Sequence, residues 1–349
     1  MSYCCTNCFN NYEVLNYIKK QDLIGDCSFC DSKGVSIANM DDEFFTWNVR
    51  HPFRDVKLAP ENNGFPIERF LTRQVDLLNE GTSTQAKHAL LSKLFRYSYS
   101  EEDFKKTFRV EFSTGPSGSN LLNKWHEFKN RIKHENRFGF GIDEVLKKAL
   151  TDILTTNQKK FPRGQRFYRA RLGNPDGSRL FAYEKQDIMA APKDRVSEGR
   201  INPRGIPYLY VTNDVDTAIA EVRPYKGKLV SVATVKLTED TTISSFNNVA
   251  YHGKSLVEQM ELYVLTNQIN WELSHPIDED TKYLDYIPYQ YISELTKHLG
   301  LDGIEYRSAL EKGTNVCFFI PSKVEWIESE LYEVQSLEVI AKPVNQFDL

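Results

Sequence analysis

The residues best suited to chemistry lie mid-chain. Tyr168-Arg169-Ala170-Arg171 is followed by the glycine-flanked turn Gly199-Arg200-Ile201-Asn202-Pro203-Arg204-Gly205, then by Tyr208 to Thr212 and by Ala218-Ile219-Ala220-Glu221-Val222. Guanidinium groups grip phosphate oxygens bidentately, so two arginine clusters suit a diphosphate. A carboxylate downstream suits the positive charge that develops on a sugar when its glycosidic bond breaks. Together they point to cleavage of a dinucleotide such as NAD. Nicotinamide leaves from an already cationic ring, so no general acid has to protonate it, and one carboxylate suffices where ordinary glycosidases use two.

Glu221 is the candidate carboxylate; among Ala218, Ile219, Ala220 and Val222 it is expected to have partly apolar surroundings. Arg169 and Arg200 are the stronger arginine candidates, each beside an aromatic residue or a glycine turn, whereas at least two of Arg169, Arg171, Arg200 and Arg204 are expected to make ordinary surface ion pairs. Alternation puts Tyr208 and Tyr210 on one side of their strand, either to stack on a ligand ring or to serve as core aromatics.

A second constellation opens the chain. Five of the six cysteines fall in the first thirty residues, and Cys5-x-x-Cys8 and Cys27-x-x-Cys30 are eighteen residues apart. That spacing predicts a four-thiolate Zn²⁺ knuckle, which supplies folding energy a short segment lacks. A redox dithiol would need a strand before the CxxC and a helix after it, and neither pair has that context. Cys4 is a spare neighbour able to compete with Cys5, and Cys317, in Val316 to Ile320, reads as a small core residue.

The elements that must position these residues divide the chain into a knuckle segment (1–40), a helical domain (41–157) and an α+β domain (158–349). Helices are predicted over Glu13 to Ile24, Ile67 to Asn79, Gln85 to Arg96 and Leu121 to His134, the last entered through a loop at Gly115 to Asn120. A further helix aligns Ile142, Val145, Leu146, Ala149, Leu150, Ile153 and Leu154 on one face. Beyond Phe161, Tyr208 to Thr212, Lys228 to Leu237, Gly303 to Arg307 and Val316 to Ile320 read as strands. Asn213-Asp214 caps a short helix carrying Glu221, and Pro288 opens a helix that Gly300 closes. The order is mixed, so an α+β fold is expected in place of a doubly wound sheet.

With 349 residues, 40% hydrophobic, 26% charged and a net charge of −4, the chain has the composition of a globular protein and no overall basicity for nucleic acid. No apolar run approaches membrane-span length and Met1-Ser2-Tyr3-Cys4 is no signal peptide, so a cytoplasmic location is expected. No Gly-x-Gly-x-x-Gly or Walker loop occurs, so redox use of NAD and ATP hydrolysis lack support.

The string from Phe167 to Val222 resembles the RES family, named for an arginine, a glutamate and a serine. The resemblance rests on Tyr168-Arg169, Gly199 to Gly205, Leu209-Tyr210 and Ala218 to Val222, with the serine at Ser308 in Asp302-Gly303-Ile304-Glu305-Tyr306-Arg307-Ser308 and a following Asn315. It covers roughly Phe161 to Glu330 and departs at Ile201, where many relatives carry an aromatic residue. It implies an ADP-ribosyltransferase-like fold and a toxin or defence effector that degrades NAD or transfers ADP-ribose. In that scheme Arg169 and Arg200 contact the diphosphate or nicotinamide ribose, Tyr210 packs on the ring, Glu221 supports the oxocarbenium ion, and Ser308 and Asn315 orient the substrate. Water, phosphate or a protein side chain would accept the ADP-ribose, and a neutralising or activating partner is expected; a homo-oligomer is compatible with the sequence. The N-terminal half resembles the knuckle and HEPN-like helical segment that precedes some RES domains. Two other readings are a HEPN-type ribonuclease using Arg131 and His134, three apart where that family has four to six between them, and a non-catalytic nucleotide-binding adaptor.

Overall fold

The computed structural model describes residues 1–53, 56–95, 107–112, 120–138, 141–247, 249–277 and 280–337. The loop expected at Gly115 to Ser119 and the helix end expected at Arg96 lie outside the described residues. In chain order the strands are β1 (Tyr3–Cys5), β2 (Ile24–Gly25), β3 (Val35–Asn39), β4 (Val56–Pro66), β5 (Thr107–Phe112), β6 (Gln158–Phe161), β7 (Arg166–Leu172), β8 (Leu209–Thr212), β9 (Leu229–Leu237), β10 (Thr241–Ser245), β11 (Gly303–Arg307), β12 (Thr314–Phe318) and β13 (Val324–Glu333). The helices are α1 (Tyr12–Lys20), α2 (Ile67–Arg73), α3 (Thr84–Leu94), α4 (Asn120–His134), α5 (Glu144–Thr156), α6 (Lys185–Ile188), α7 (Val215–Glu221), α8 (Leu256–Ser274), α9 (Lys282–Asp285) and α10 (Ile287–His298). The fold is mixed α+β, as expected.

The described residues form two compact units, one drawn from 1–157 and 246–270, the other from 158–245 and 271–337. The first holds the small antiparallel sheet β1-β3-β2, the β4-β5 pair and helices α1 to α5. Asn11 caps α1 by accepting from the Glu13 and Val14 amides, and Asp143 caps α5 through Val145 and Leu146. Leu146, Ala149, Leu150, Ile153 and Leu154 are buried as their spacing predicts, but Val145 is 53% exposed because it sits on the edge of that stripe in the first turn. Most of α8 also belongs to this unit, and no helix was expected there. It buries Leu256, Met260, Leu262, Tyr263, Leu265 and Ile269, which do not fall on one face. A helix enclosed on several sides carries no single stripe for a periodicity argument to find.

The second unit is built on one eight-stranded sheet in the order β13-β9-β7-β8-β12-β11-β10-β6. β10 and β11 run parallel and the other neighbours antiparallel. One face carries Phe167, Leu209, Val211, Ala233, Val235, Val316 and Phe318, packed with Ile188 of α6. On the other face Tyr168, Ala170, Val230 and Val232 meet Val215, Ile219 and Val222 of the α7 segment. Cross-strand partners share a face, so the register Thr234–Tyr168–Thr212–Asn315–Tyr306 sets those five side chains in one row on the α7 side. No described helix is long and apolar enough to cross a membrane.

Candidate active site

Three of the sequence candidates converge on one carboxylate oxygen. Glu221 Oε1 accepts hydrogen bonds from Ser308 Oγ and Asn315 Nδ2, each at 2.7 Å. Bonds to an ionised acceptor are roughly twice as strong as neutral ones, so this pair fixes the side chain's direction. Among the described residues Oε2 has no protein partner, and Glu221 as a residue is exposed. The apolar surroundings expected of it belong instead to its neighbours on α7: Ala218 is buried and Ile219 packs on the sheet.

The local sequence explains why Glu221 sits there. Asp214 starts α7 by accepting from the Thr217 amide and hydroxyl, both at 2.8 Å. The cap is joined to β12, because Asn213 Oδ1 accepts from the Thr314 amide and the Asn213 amide donates to the Thr314 carbonyl. Gly313 permits this approach: a Cβ at that position would collide with the side chains of Asp214, Thr217 and Asn213. At the other end Arg223 adopts a positive φ of 46° and its amide returns to the Ala220 carbonyl, ending α7 just after Glu221, with Pro224 next in the chain. A carboxylate at a helix C-terminus opposes the helix dipole; the two donors offset that.

Ser308 is fully engaged. Its hydroxyl donates to Glu221 and accepts from the Leu310 and Glu311 amides at 3.2 and 3.3 Å, while its own amide donates to the Gly313 carbonyl. Its proton is therefore already directed at the carboxylate.

Arg169, Arg171 and Arg200 of these clusters bond backbone carbonyls. Alternation along β7 places Arg169 with Phe167, on the face opposite Asn315. Its Nε donates to the Ile188 carbonyl at 2.6 Å and its Nη1 to the Tyr210 carbonyl at 2.8 Å. Burial, with the charge of Arg171 next, lowers its pKa from the usual arginine range. Arg171 bonds the Asp187 carbonyl and lies over the Tyr183 ring, so the two arginines clamp the 183–188 segment. Arg200 turns onto the end of α8, with Nη1 donating to the Glu272 and Leu273 carbonyls and Nη2 to that of His275. A guanidinium there satisfies orphan carbonyls and complements the dipole. Neither arginine bonds Glu221.

Tyr210 shares the Asn315 face but spends its hydroxyl on the Gly199 to Gly205 turn. It accepts from the Ile201 and Asn202 amides and donates to Asn202 Oδ1 at 2.9 Å. Gly199 is required, since a Cβ would stand 2.9 Å from that hydroxyl and closer still to Asn202. Gln290 and Ser293 of α10 bind carbonyls of the same turn. Ile201 is completely buried, so the departure from an aromatic residue noted above falls in the core. The sequence reading passed over Tyr306, which stands opposite Asn315 in the register and shares a face with Ser308 by alternation, a period-two signal present in the string that carries the serine.

In the first unit the Sγ atoms of Cys5, Cys8, Cys27 and Cys30 lie within 4.8 Å of one another. The Cys5–Cys8, Cys5–Cys30, Cys8–Cys27 and Cys8–Cys30 separations are 3.8, 3.6, 3.5 and 3.7 Å. A tetrahedral ion about 2.3 Å from each thiolate would set sulfurs about 3.8 Å apart, so the donor set fits one metal ion. Cys4 points away, its Sγ 3.6 Å from the Ala38 carbonyl.

Residues 166–337, just under half of the chain, match the family model described as the RES domain. No curated protein matched the chain. A chain of the solved structure described as "Crystal structure of the M.tuberculosis MbcT-MbcA toxin-antitoxin complex" is similar to 55% of this chain and 94% of its own length, at 13% identity and a TM-score of 0.31.

Proposed function

We propose that this protein consumes NAD, cleaving the bond between nicotinamide and ribose with water as acceptor, and acts as a toxin or defence effector. The observation that carries this reading is Glu221, held through Oε1 by Ser308 and Asn315 with Oε2 directed to no protein group. As the bond lengthens, nicotinamide departs as a neutral base and positive charge spreads over C1′ and the ring oxygen. A fixed carboxylate stabilises that charge without having to reorganise. Water adds at C1′ and releases a proton, so NAD and water give nicotinamide, ADP-ribose and H⁺. The exposure of Glu221 leaves water a route to the carbon.

Arg169 and Arg200 act in this scheme through what they hold, the 183–188 segment and the end of α8, and their positive charge favours the diphosphate from there. Tyr210 sets the turn that carries Arg200. Cys5, Cys8, Cys27 and Cys30 would hold a structural Zn²⁺, whose role is to organise the first unit. Because NAD loss harms the host cell, a neutralising partner belongs to this reading. The test is nicotinamide release from NAD by the purified protein beside Glu221→Gln, with release by the wild type and a loss of roughly 10²–10³-fold in the variant expected. Equal release from both would refute it.

A further inference from the structure

Tyr306 is buried, at 7% exposure, and its hydroxyl bonds no described residue. The hydroxyl is not among the fully enclosed groups that lack a partner, so it is the part of this buried ring that remains open to a ligand. Its location says what would satisfy it. Tyr306 pairs with Asn315 across β11 and β12 and so shares the face on which Asn315 meets Glu221. The charges of Glu221 and Arg200 both act on its hydroxyl, from carboxylate and guanidinium respectively. Burial first, then Cys317 and Glu221, push its pKa up, so the group remains a proton donor. Tyr210, the neighbouring tyrosine on this face, has its hydroxyl saturated by the Gly199 to Gly205 turn.

We infer that Tyr306 is a substrate-binding residue of the Glu221 site, its hydroxyl donating to a hydroxyl oxygen of the ribose that bears the nicotinamide. The inference rests on the NAD reading above. It assigns ribose recognition to the floor of the sheet and charge stabilisation to α7, two supports that one register holds together.

Tyr306→Phe removes the hydroxyl and keeps the ring. With wild type first shown to release nicotinamide, the variant should raise KM for NAD about 3- to 10-fold, as loss of one neutral hydrogen bond does, with kcat changed less. Inhibition by ADP-ribose should weaken by the same factor and inhibition by nicotinamide should not change. The melting temperature should stay level, because no hydrogen bond within the described protein is lost. An unchanged KM, a shift in nicotinamide inhibition instead, or a melting temperature several degrees lower would overturn the assignment while leaving the NAD reading intact. Wild-type protein that neither binds NAD in calorimetry nor releases nicotinamide would overturn both.

Discussion

Ser308→Ala tests whether the serine works through Glu221. The change deletes one of two 2.7 Å bonds to Oε1. A hydrogen bond to a charged group contributes about 1.5–3 kcal/mol, so kcat/KM should fall about 10- to 150-fold if the transition state depends on the held carboxylate. The serine also accepts from the Leu310 and Glu311 amides at 3.2 and 3.3 Å. Losing these long bonds should destabilise the turn by about 1–2 kcal/mol, so turnover is measured well below the melting transition. The discriminating assay is a double-mutant cycle with Glu221→Gln, read as nicotinamide release by chromatography. With glutamine at position 221 the serine holds only a neutral amide, and Ser308→Ala should then lower turnover much less, a coupling of about 1 kcal/mol or more. Additivity within about 0.5 kcal/mol, the usual result for independent sites, would refute the positioning role.

Two further outcomes follow from the same geometry. Gly313→Ala should drive α7 away from β12, destabilising the second unit by about 1–3 kcal/mol and, by misplacing Glu221, reducing turnover on the order of 10²-fold; melting and kinetics together check it, and a variant with wild-type values in both would contradict the packing argument. Cys27→Ser should abolish a bound metal measured at about one per chain and raise hydrogen exchange across β1 to β3, while nicotinamide release by the second unit persists. Metal-free wild-type protein with a well-protected N-terminus would contradict it.

The parts of this molecule legible in its sequence are those fixed by short-range rules. The Cys5/Cys8 and Cys27/Cys30 spacing announced a cluster the fold assembles at metal-binding distances. The α5 stripe, the Asp214 cap and strands β8, β9, β11 and β12 followed from periodicity and turn residues within a residue or two. Strands β7 and β13 escaped notice because arginines and glutamates interrupt their apolar pattern, and α8 because it is enclosed on several sides. Glu221, Ser308 and Asn315 were legible as residue types, but their meeting on one oxygen depends on sheet register, which no local pattern encodes. The arginines show the limit most clearly. Residue type alone suggested a diphosphate contact; the bonds that Arg169 and Arg200 make to backbone carbonyls depend on tertiary structure and were not legible.

The most direct test of the central claim is the mass and yield of products when the purified protein is incubated with NAD beside its Glu221→Gln variant. The account predicts nicotinamide and ADP-ribose in equal amounts from the wild type and a loss of roughly 10²–10³-fold in the variant. A folded wild type that leaves NAD intact, or a variant that matches it, would contradict the account.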